Sequence, residues 1–62
     1  MYYASNDGSR VTVYEASTGA VYFPIPLFEK LDSYNLSGNV LCLTFVSGKV
    51  EVYDVPNRVR IR

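Results

Sequence analysis

The sequence predicts a small all-β fold with five or six short antiparallel strands and one short helix between strands 3 and 4. Turn signals that contain glycine recur at Asp7-Gly8, Gly19 and Ser47-Gly48. The stretches between them are rich in Val, Tyr and Phe and largely alternate apolar with polar residues, as half-buried strands do. This order of elements is that of a compact OB-like barrel, and an SH3-like barrel or a curved sheet that dimerises fits it almost as well.

The length of the chain limits it to one domain. With 62 residues, the range 1–62 forms a single small β domain near the lower limit for independent folding. The only cysteine is Cys42, so no internal disulfide is available, and there is no histidine. Self-association is therefore the most accessible additional source of stability.

The first two strands are predicted at residues 1–5 and 10–16, because the Asp7-Gly8 pair between them is a strong hairpin turn. A two-residue loop at this pair places Ala4 opposite Val11. The same register places other residues of the two strands opposite each other: Tyr2 with Val13 on one face, and Tyr3 with Thr12 on the other, where Arg10 and Tyr14 also lie.

The connection to the third strand is predicted as a three-residue loop, Ser17-Thr18-Gly19, with Gly19 in the left-handed conformation. That register pairs Val13 with Phe23 and Tyr14 with Tyr22, which keeps apolar opposite apolar and aromatic opposite aromatic. One face of the sheet then carries three tyrosines and an arginine: Tyr3, Tyr14, Tyr22 and Arg10.

The short helix is predicted over Leu27–Asp32, after the extended segment Pro24-Ile25-Pro26, whose prolines cannot donate ladder hydrogen bonds. In such a helix Leu27, Phe28 and Leu31 point inward and the charged residues between them face water. Because the segment has no good N-cap residue, the helix would depend on packing.

The last hairpin is predicted at residues 40–46 and 49–55, around Ser47-Gly48. Pairing outward from a two-residue turn gives four cross-strand pairs: Phe45 with Val50, Leu43 with Val52, Thr44 with Glu51, and Cys42 with Tyr53. This register makes Cys42 a small buried hydrophobic residue in mid-strand rather than a nucleophile.

The C-terminal segment alternates basic and apolar residues, with Val59 and Ile61 on one face and Arg58, Arg60 and Arg62 on the other. Residues 1–57 contain six acidic and three basic residues, so the three tail arginines bring the net charge to zero. The segment is therefore predicted to be a charged edge strand whose field reaches acidic neighbours such as Glu51.

Catalytic chemistry has little basis in this sequence. Without histidine, serine and cysteine triads and most zinc sites are excluded, and the four glycines lie in separate turns, so no phosphate-binding loop exists. Glu29 and Asp32 could share a helix face, but nothing apolar is predicted to cover them and shift their pKa values. The sequence predicts a non-enzymatic protein that needs no metal or cofactor.

The six tyrosines are the most unusual feature of the composition, and tyrosine suits protein interfaces. We therefore predict a protein-interaction module of the adaptor or inhibitor type, self-associating through the tyrosine-bearing sheet face. Its partner-binding residues are predicted to be Tyr3, Arg10, Tyr14, Tyr22, Arg58, Arg60 and Arg62.

Two other interpretations remain open. In one, the tyrosines stack on the bases of a single-stranded nucleic acid while the arginines bind phosphate, although zero net charge makes this the second choice. In the other, the tyrosines are cross-strand pairs that only stabilise the sheet. No stretch is long and apolar enough to span a membrane, and a lone cysteine is typical of the cytoplasm, which is the predicted location.

Two short stretches resemble known families. The run Phe45-Val46-Ser47-Gly48-Lys49-Val50, with the later Val55-Pro56, resembles the central hairpin of the KTSC domain, although Glu51 stands near a position where that family has an aromatic residue. The stretch Ala4–Gly19 resembles one hairpin of a WD-type propeller blade. Neither match carries a functional residue, so neither implies a function.

Overall fold

A computed structural model describes all residues from Met1 to Arg62. The chain is all-β, as predicted, but it has seven strands rather than five or six. They form two antiparallel sheets of three and four strands, in the orders β1-β2-β3 and β4-β5-β6-β7. In chain order, the strands are β1 (Tyr2–Asn6), β2 (Arg10–Glu15), β3 (Val21–Pro26), β4 (Leu31–Ser37), β5 (Val40–Phe45), β6 (Val50–Asp54) and β7 (Val59–Arg60).

The core lies between the two sheets and is small. It is built chiefly from the alternate residues of the central strands β2 and β5, because a central strand is covered by neighbours on both sides. Seven residues are buried: Val11, Val13, Ile25, Leu41, Leu43, Phe45 and Val55. Since every buried residue is apolar, burial of apolar surface is the main source of stability.

Both sheets are open, so the predicted barrel is not formed. The edge strands are β1 and β3 in the first sheet and β4 and β7 in the second. At one side of the core the hydroxyl of Tyr34 donates to the carbonyl oxygen of Ala4 at 3.4 Å. No strand continues from one sheet into the other to close the structure.

The first hairpin is present, but each strand is shifted by one residue from the predicted register. Ala4 lies opposite Val13 rather than Val11, and the loop is Gly8-Ser9, with Gly8 at a φ of +94°. The carboxylate of Asp7 accepts the backbone N–H groups of Ser9 and Arg10, both at 2.9 Å. This Asx-type turn displaces the loop by one position. Because the combined shift is two residues, every side chain keeps its predicted face.

The second connection is a four-residue loop instead of three, since the Glu15 N–H donates to Ala20 at 2.9 Å. Gly19 has the predicted positive φ, +75°. The pair of Val13 with Phe23 is confirmed, but a bulge follows it, and Tyr14 lies opposite Val21. The bulge leaves Tyr22 without a direct partner, so the predicted Tyr14–Tyr22 pair is wrong.

The predicted helix over Leu27–Asp32 is absent. Leu27 continues the chain beyond β3, and its N–H donates to the carbonyl of Ser9 at 3.0 Å. Leu31 already belongs to β4, and Phe28, predicted to point inward, is 91% exposed. The segment lacks an N-cap, and the strand on its C-terminal side extends back into it through pairing with β5.

The β5–β6 hairpin has a three-residue loop, Val46-Ser47-Gly48, with Gly48 at a φ of +93°. Its register is one residue from the predicted one, so Leu43 lies opposite Glu51 and Cys42 opposite Val52. A one-residue shift exchanges the two faces of a strand. Four predicted pairs are therefore wrong, and β6 turns Glu51 and Tyr53, not Val50 and Val52, toward the core.

Candidate functional site

Two aromatic rings stack on the outer face of the first sheet. Tyr3 of β1 lies opposite Tyr14 of β2, with ring centroids 5.0 Å apart and ring planes 17° apart. Val21 is 61% exposed beside Tyr14, and Pro24 lies opposite Thr12 on the same face. We call Tyr3, Tyr14, Val21 and Pro24 the tyrosine patch. It presents apolar surface with two hydroxyl groups and no charged side chain.

Tyr22 does not belong to the tyrosine patch. The bulge in β3 turns it to the inner side, where its ring meets Tyr2 with centroids 4.9 Å apart. Its hydroxyl donates to the carbonyl oxygen of Pro56 at 2.9 Å, which links the two sheets. The prediction that Tyr3, Tyr14 and Tyr22 share a face is therefore wrong, because a bulge changes the alternation of side chains.

The C-terminal arginines are dispersed rather than aligned. Arg58 lies in the turn before β7 with a φ of +56°. Its guanidinium stands 4.1 Å above the ring centroid of Tyr22, and its Nε donates to the carbonyl oxygen of Tyr22 at 3.2 Å. Arg60 is on β7 and donates to Glu51 at 3.0 Å. Glu51 was the acidic residue expected to lie near the C-terminal arginines. Arg62 extends the pairing through its backbone, which exchanges hydrogen bonds with Val52.

Arg10 lies at the start of β2, opposite Pro26. Its backbone N–H is held by the Asp7 carboxylate, while its exposed side chain forms no ion pair. Of the seven predicted binding residues, the structure brings together two separate pairs: Tyr3 with Tyr14, with Arg10 toward one end of the same outer face, and Tyr22 with Arg58. The other four lie on the side of the second sheet or link the two sheets.

A charge network joins the β5–β6 hairpin to β7. The Lys49 ammonium lies 3.5 Å from Glu29 and 3.3 Å from Glu51, and Glu51 also pairs with Arg60 at 3.0 Å. The Tyr53 hydroxyl donates to the remaining Glu51 oxygen at 3.0 Å. The contact of Glu51 with Tyr53 at the rim of the core was missed because the predicted register placed both residues on the outer face of β6.

The network shifts the pKa values of two of its members. Burial raises the pKa of Glu51, but the hydrogen bonds from Tyr53 and Lys49 and the charges of Lys49 and Arg60 outweigh it, so the pKa lies below its usual value. Burial, followed by the hydrogen bond to Glu51, raises the pKa of Tyr53. A carboxylate held ionised between two cations is typical of a structural ion cluster.

The outer face of the second sheet exposes several valines among polar residues, with Asp54 between Val40 and Val59. Val40, Val50 and Val59 are 39%, 52% and 48% exposed, and Cys42 lies half-buried between Asn35 and Val52. The prediction that Cys42 is buried opposite Tyr53 is therefore wrong, because the one-residue change of register places it half-buried on an outer face opposite Val52. The sequence contained a signal for this face in its alternating valines, but the register decides which valines point outward.

The structure has one small cleft. This cleft, with a volume of about 30 Å³ between the β5–β6 hairpin and the segment after β3, is lined by residues that include Phe28, Glu29 and Lys49, and it is far smaller than most ligand sites. No three His, Cys, Asp or Glu side chains converge in a group that could hold a metal ion. No helix long and apolar enough to cross a membrane is present.

Fold and surfaces together define a small all-β domain of two open sheets that expose apolar side chains on both outer faces. Comparison with protein-family models, with curated proteins and with solved structures finds no match. Function must therefore be argued from the surfaces of the molecule.

Proposed function

We propose that this chain is a small, non-enzymatic protein-interaction module of the adaptor or inhibitor type. It acts as a homo-oligomer in the cytoplasm and uses the tyrosine patch as a contact surface for protein. The observation that carries this proposal is the stacked pair of Tyr3 and Tyr14 on the outer face of the first sheet.

The stacked pair fits an interface because it is rigid and amphipathic. Tyr3 is 46% exposed, and its ring is already held by Tyr14, so little side-chain entropy remains to be lost on binding. The hydroxyl groups supply hydrogen bonds at the rim while the ring faces supply apolar area. Val21 and Pro24 enlarge the apolar surface without adding flexible or charged groups.

The alternative function, single-strand nucleic-acid binding, has less support. It requires free ring faces and free arginines, whereas Tyr3 and Tyr14 cover one face of each other. Arg58 stacks on Tyr22, and Arg60 pairs with Glu51. Only Arg10, Lys30 and Arg62 retain basic side chains without an ionic or stacking partner, and three cations give weak phosphate affinity. An oligonucleotide mobility shift at about 50 mM salt, where such contacts are strong, would favour this alternative.

The proposal is tested by removing both rings in the double variant Tyr3→Ser/Tyr14→Ser. Two properties are compared with the wild-type chain: the oligomer mass by light scattering, and the proteins recovered with the tagged chain from its own host. We expect the double variant to lose at least one of these associations. Val50→Ser, which shortens an exposed side chain of the other sheet, serves as the matched control and keeps both.

Two outcomes count against the proposal. If the double variant remains folded by circular dichroism and retains every association, the tyrosine patch is not the contact surface. If the wild-type chain is a strict monomer at tens of micromolar, the homo-oligomer part of the proposal is wrong.

A further inference from the structure

Three of the four edge strands are protected against pairing with another chain. Strand β3 contains Pro24 and Pro26, which cannot donate ladder hydrogen bonds. Strand β7 is two residues long and lies in an arginine-rich segment. On β1, the carbonyl oxygen of Ala4 already accepts the Tyr34 hydroxyl. These are the usual devices that keep a sheet edge from extending.

The fourth edge, β4, has none of these devices. It is seven residues long and contains no proline, lysine or arginine. Its one charged residue, Asp32, lies near the N-terminal end, and five of its seven residues are exposed. The pairing of β4 with β5 has one irregularity, between Leu31 and Ser33 near the N-terminal end, and is regular from Ser33 to Ser37. A regular and nearly uncharged edge is a template for adding a strand.

The backbone groups that face outward from β4 can be assigned from the next pair of strands. The carbonyl of Asn39 accepts from Val55, and the N–H of Phe45 donates to Lys49, so the odd-numbered residues of β5 hydrogen-bond toward β6. The even-numbered residues of β5 therefore hydrogen-bond toward β4, where their partners are Ser37, Asn35 and Ser33. By alternation, the N–H and C=O groups of Tyr34 and Leu36 point to the open edge.

The sequence of β4 is complementary to itself in one antiparallel register. With Asn35 opposite Asn35 of a second copy, Tyr34 lies opposite Leu36 on the inner side, and Ser33 opposite Ser37 on the outer side. Tyr34 and Leu36 are the residues with outward backbone groups, so the register provides about four backbone hydrogen bonds. The two copies of Asp32 lie at opposite ends, about 20 Å apart at ~3.4 Å per residue.

We propose that β4 pairs with β4 of a second copy about a two-fold axis at Asn35, which joins the two four-stranded sheets into one. The proposal rests on the homo-oligomer part of the proposed function and names its contact. The tyrosine patches lie on the other sheet and stay free, so the dimer presents two of them. An interface made of a single strand pair is small, so the dimer should be weak. Two tyrosine patches on one dimer can bind two sites of the same partner at once, which raises the affinity.

The register is tested by disulfide trapping. The substitution Cys42→Ala is needed first, because Cys42 lies directly opposite Asn35 within the chain and would form an internal bridge. In that background, Asn35→Cys places two thiols opposite each other in the dimer, at a separation that a disulfide spans. With oxidised glutathione as the oxidant, we expect a crosslinked dimer to form about tenfold faster than from the control Asn57→Cys in the same background, an exposed site away from β4.

Two further thiol variants identify the register. Ser33→Cys or Ser37→Cys alone should crosslink slowly, whereas a mixture of the two should crosslink rapidly, since these residues oppose each other. Equal rates for all variants and mixtures would overturn the proposed register.

A non-covalent measurement covers the case in which the thiol variants fold poorly. Asn35→Lys puts two ammonium groups opposite each other and should weaken the dimer about fivefold by light scattering, and mixing it with Asn35→Glu should restore association. Val50→Lys, on the outer face of the same sheet, should leave the dimer intact.

Two results would contradict the β4 proposal. A wild-type chain that is monomeric yet still binds protein through the tyrosine patch would overturn the β4 proposal and leave the proposed function of the tyrosine patch standing. A dimer lost in Tyr3→Ser/Tyr14→Ser but kept in Asn35→Lys would overturn it as well.

Discussion

Replacing Glu51 by glutamine removes one charge from the rim of the space between the sheets while keeping the shape of the side chain. The Glu51 side chain is 12% exposed and lies within 3.3 Å of Lys49 and 3.0 Å of Arg60. It also accepts the Tyr53 hydroxyl at 3.0 Å. Glutamine can still accept from Tyr53, so the substitution isolates the contribution of the charge.

The expected loss is moderate. Lys49 and Arg60 are 51% and 52% exposed, so each ion pair is screened by water and contributes about 0.2–1 kcal/mol. Weakening the charge-assisted bond from Tyr53 adds a similar amount. We expect Glu51→Gln to lower the free energy of unfolding by about 1–2 kcal/mol at neutral pH, out of roughly 3–9 kcal/mol for a domain of this size.

The pH dependence gives the sharper test. Because the pKa of Glu51 is lowered in the folded state, its contribution is present above the pKa of the unfolded chain and is lost as pH falls through the folded value. Urea denaturation should therefore separate wild type from Glu51→Gln at about pH 7, and the two curves should converge at about pH 2. A difference that is absent at neutral pH, or equally large in acid, would refute this reasoning.

The matched control is Glu29→Gln. Glu29 contacts the same lysine, but at 3.5 Å and with 36% of its side chain exposed. Its ion pair belongs to the screened surface class, so the loss should stay below about 0.5 kcal/mol. An equal loss in both variants would mean that Lys49, rather than the partly buried carboxylate of Glu51, carries the effect.

Four further outcomes are expected from denaturation experiments on single variants. Leu43→Ala removes a fully buried side chain from the centre of β5 and should cost about 2–5 kcal/mol, enough to leave little folded protein by circular dichroism. Gly48→Ala has open space around it but a φ of +93°, so a loss of about 1 kcal/mol in urea is expected, and no loss would contradict the left-handed turn. Tyr22→Phe should cost about 1 kcal/mol through the lost bond to Pro56. Phe28→Ser, at a side chain 91% exposed, should leave the melting temperature unchanged.

The sequence predicts correctly which side chains of a hairpin face the core where the predicted and observed registers differ by an even number of residues. In the first hairpin each strand moved by one residue, and Val11 and Val13 remained in the core. In the last hairpin a three-residue loop replaced the expected two-residue loop, and that single residue exchanged Val52 for Glu51 on the inner face of β6. Loop length is set by side-chain bonds and the turn conformation of a few residues, which strand periodicity does not report.

The missing helix has a different cause. The segment before β4 contains apolar residues at helical spacing, and a helix there competes with pairing to β5. The Gly38-Asn39 turn, with Gly38 at a φ of +59°, brings Ser37 opposite Val40 and starts a hairpin that runs back to Leu31. Gly-Asn is a recognised hairpin signal. Tertiary pairing thus overrode a weak local preference.

The six tyrosines fall into two groups, those that link or support the two sheets and those that face outward. The amino-acid composition alone does not separate these groups. Tyr22 links the sheets through Pro56, and Tyr34 does so through Ala4. Tyr2 supports the Tyr22 ring, and Tyr53 packs edge-on against Phe23 with centroids 6.0 Å apart. These four rings brace a domain with only seven buried residues, where each added contact is a large fraction of the net stability.

The remaining tyrosines, Tyr3 and Tyr14, form no hydrogen bond through their hydroxyl groups within the chain. They touch each other and face outward. Most of the tyrosines therefore stabilise the domain, but through contacts between the sheets or between strands that are not neighbours rather than as cross-strand pairs. The only directly opposed tyrosines are Tyr3 and Tyr14, and the interface proposal narrows to these two. That narrowing makes it easier to test, because both rings can be removed without touching the four that link or brace the sheets.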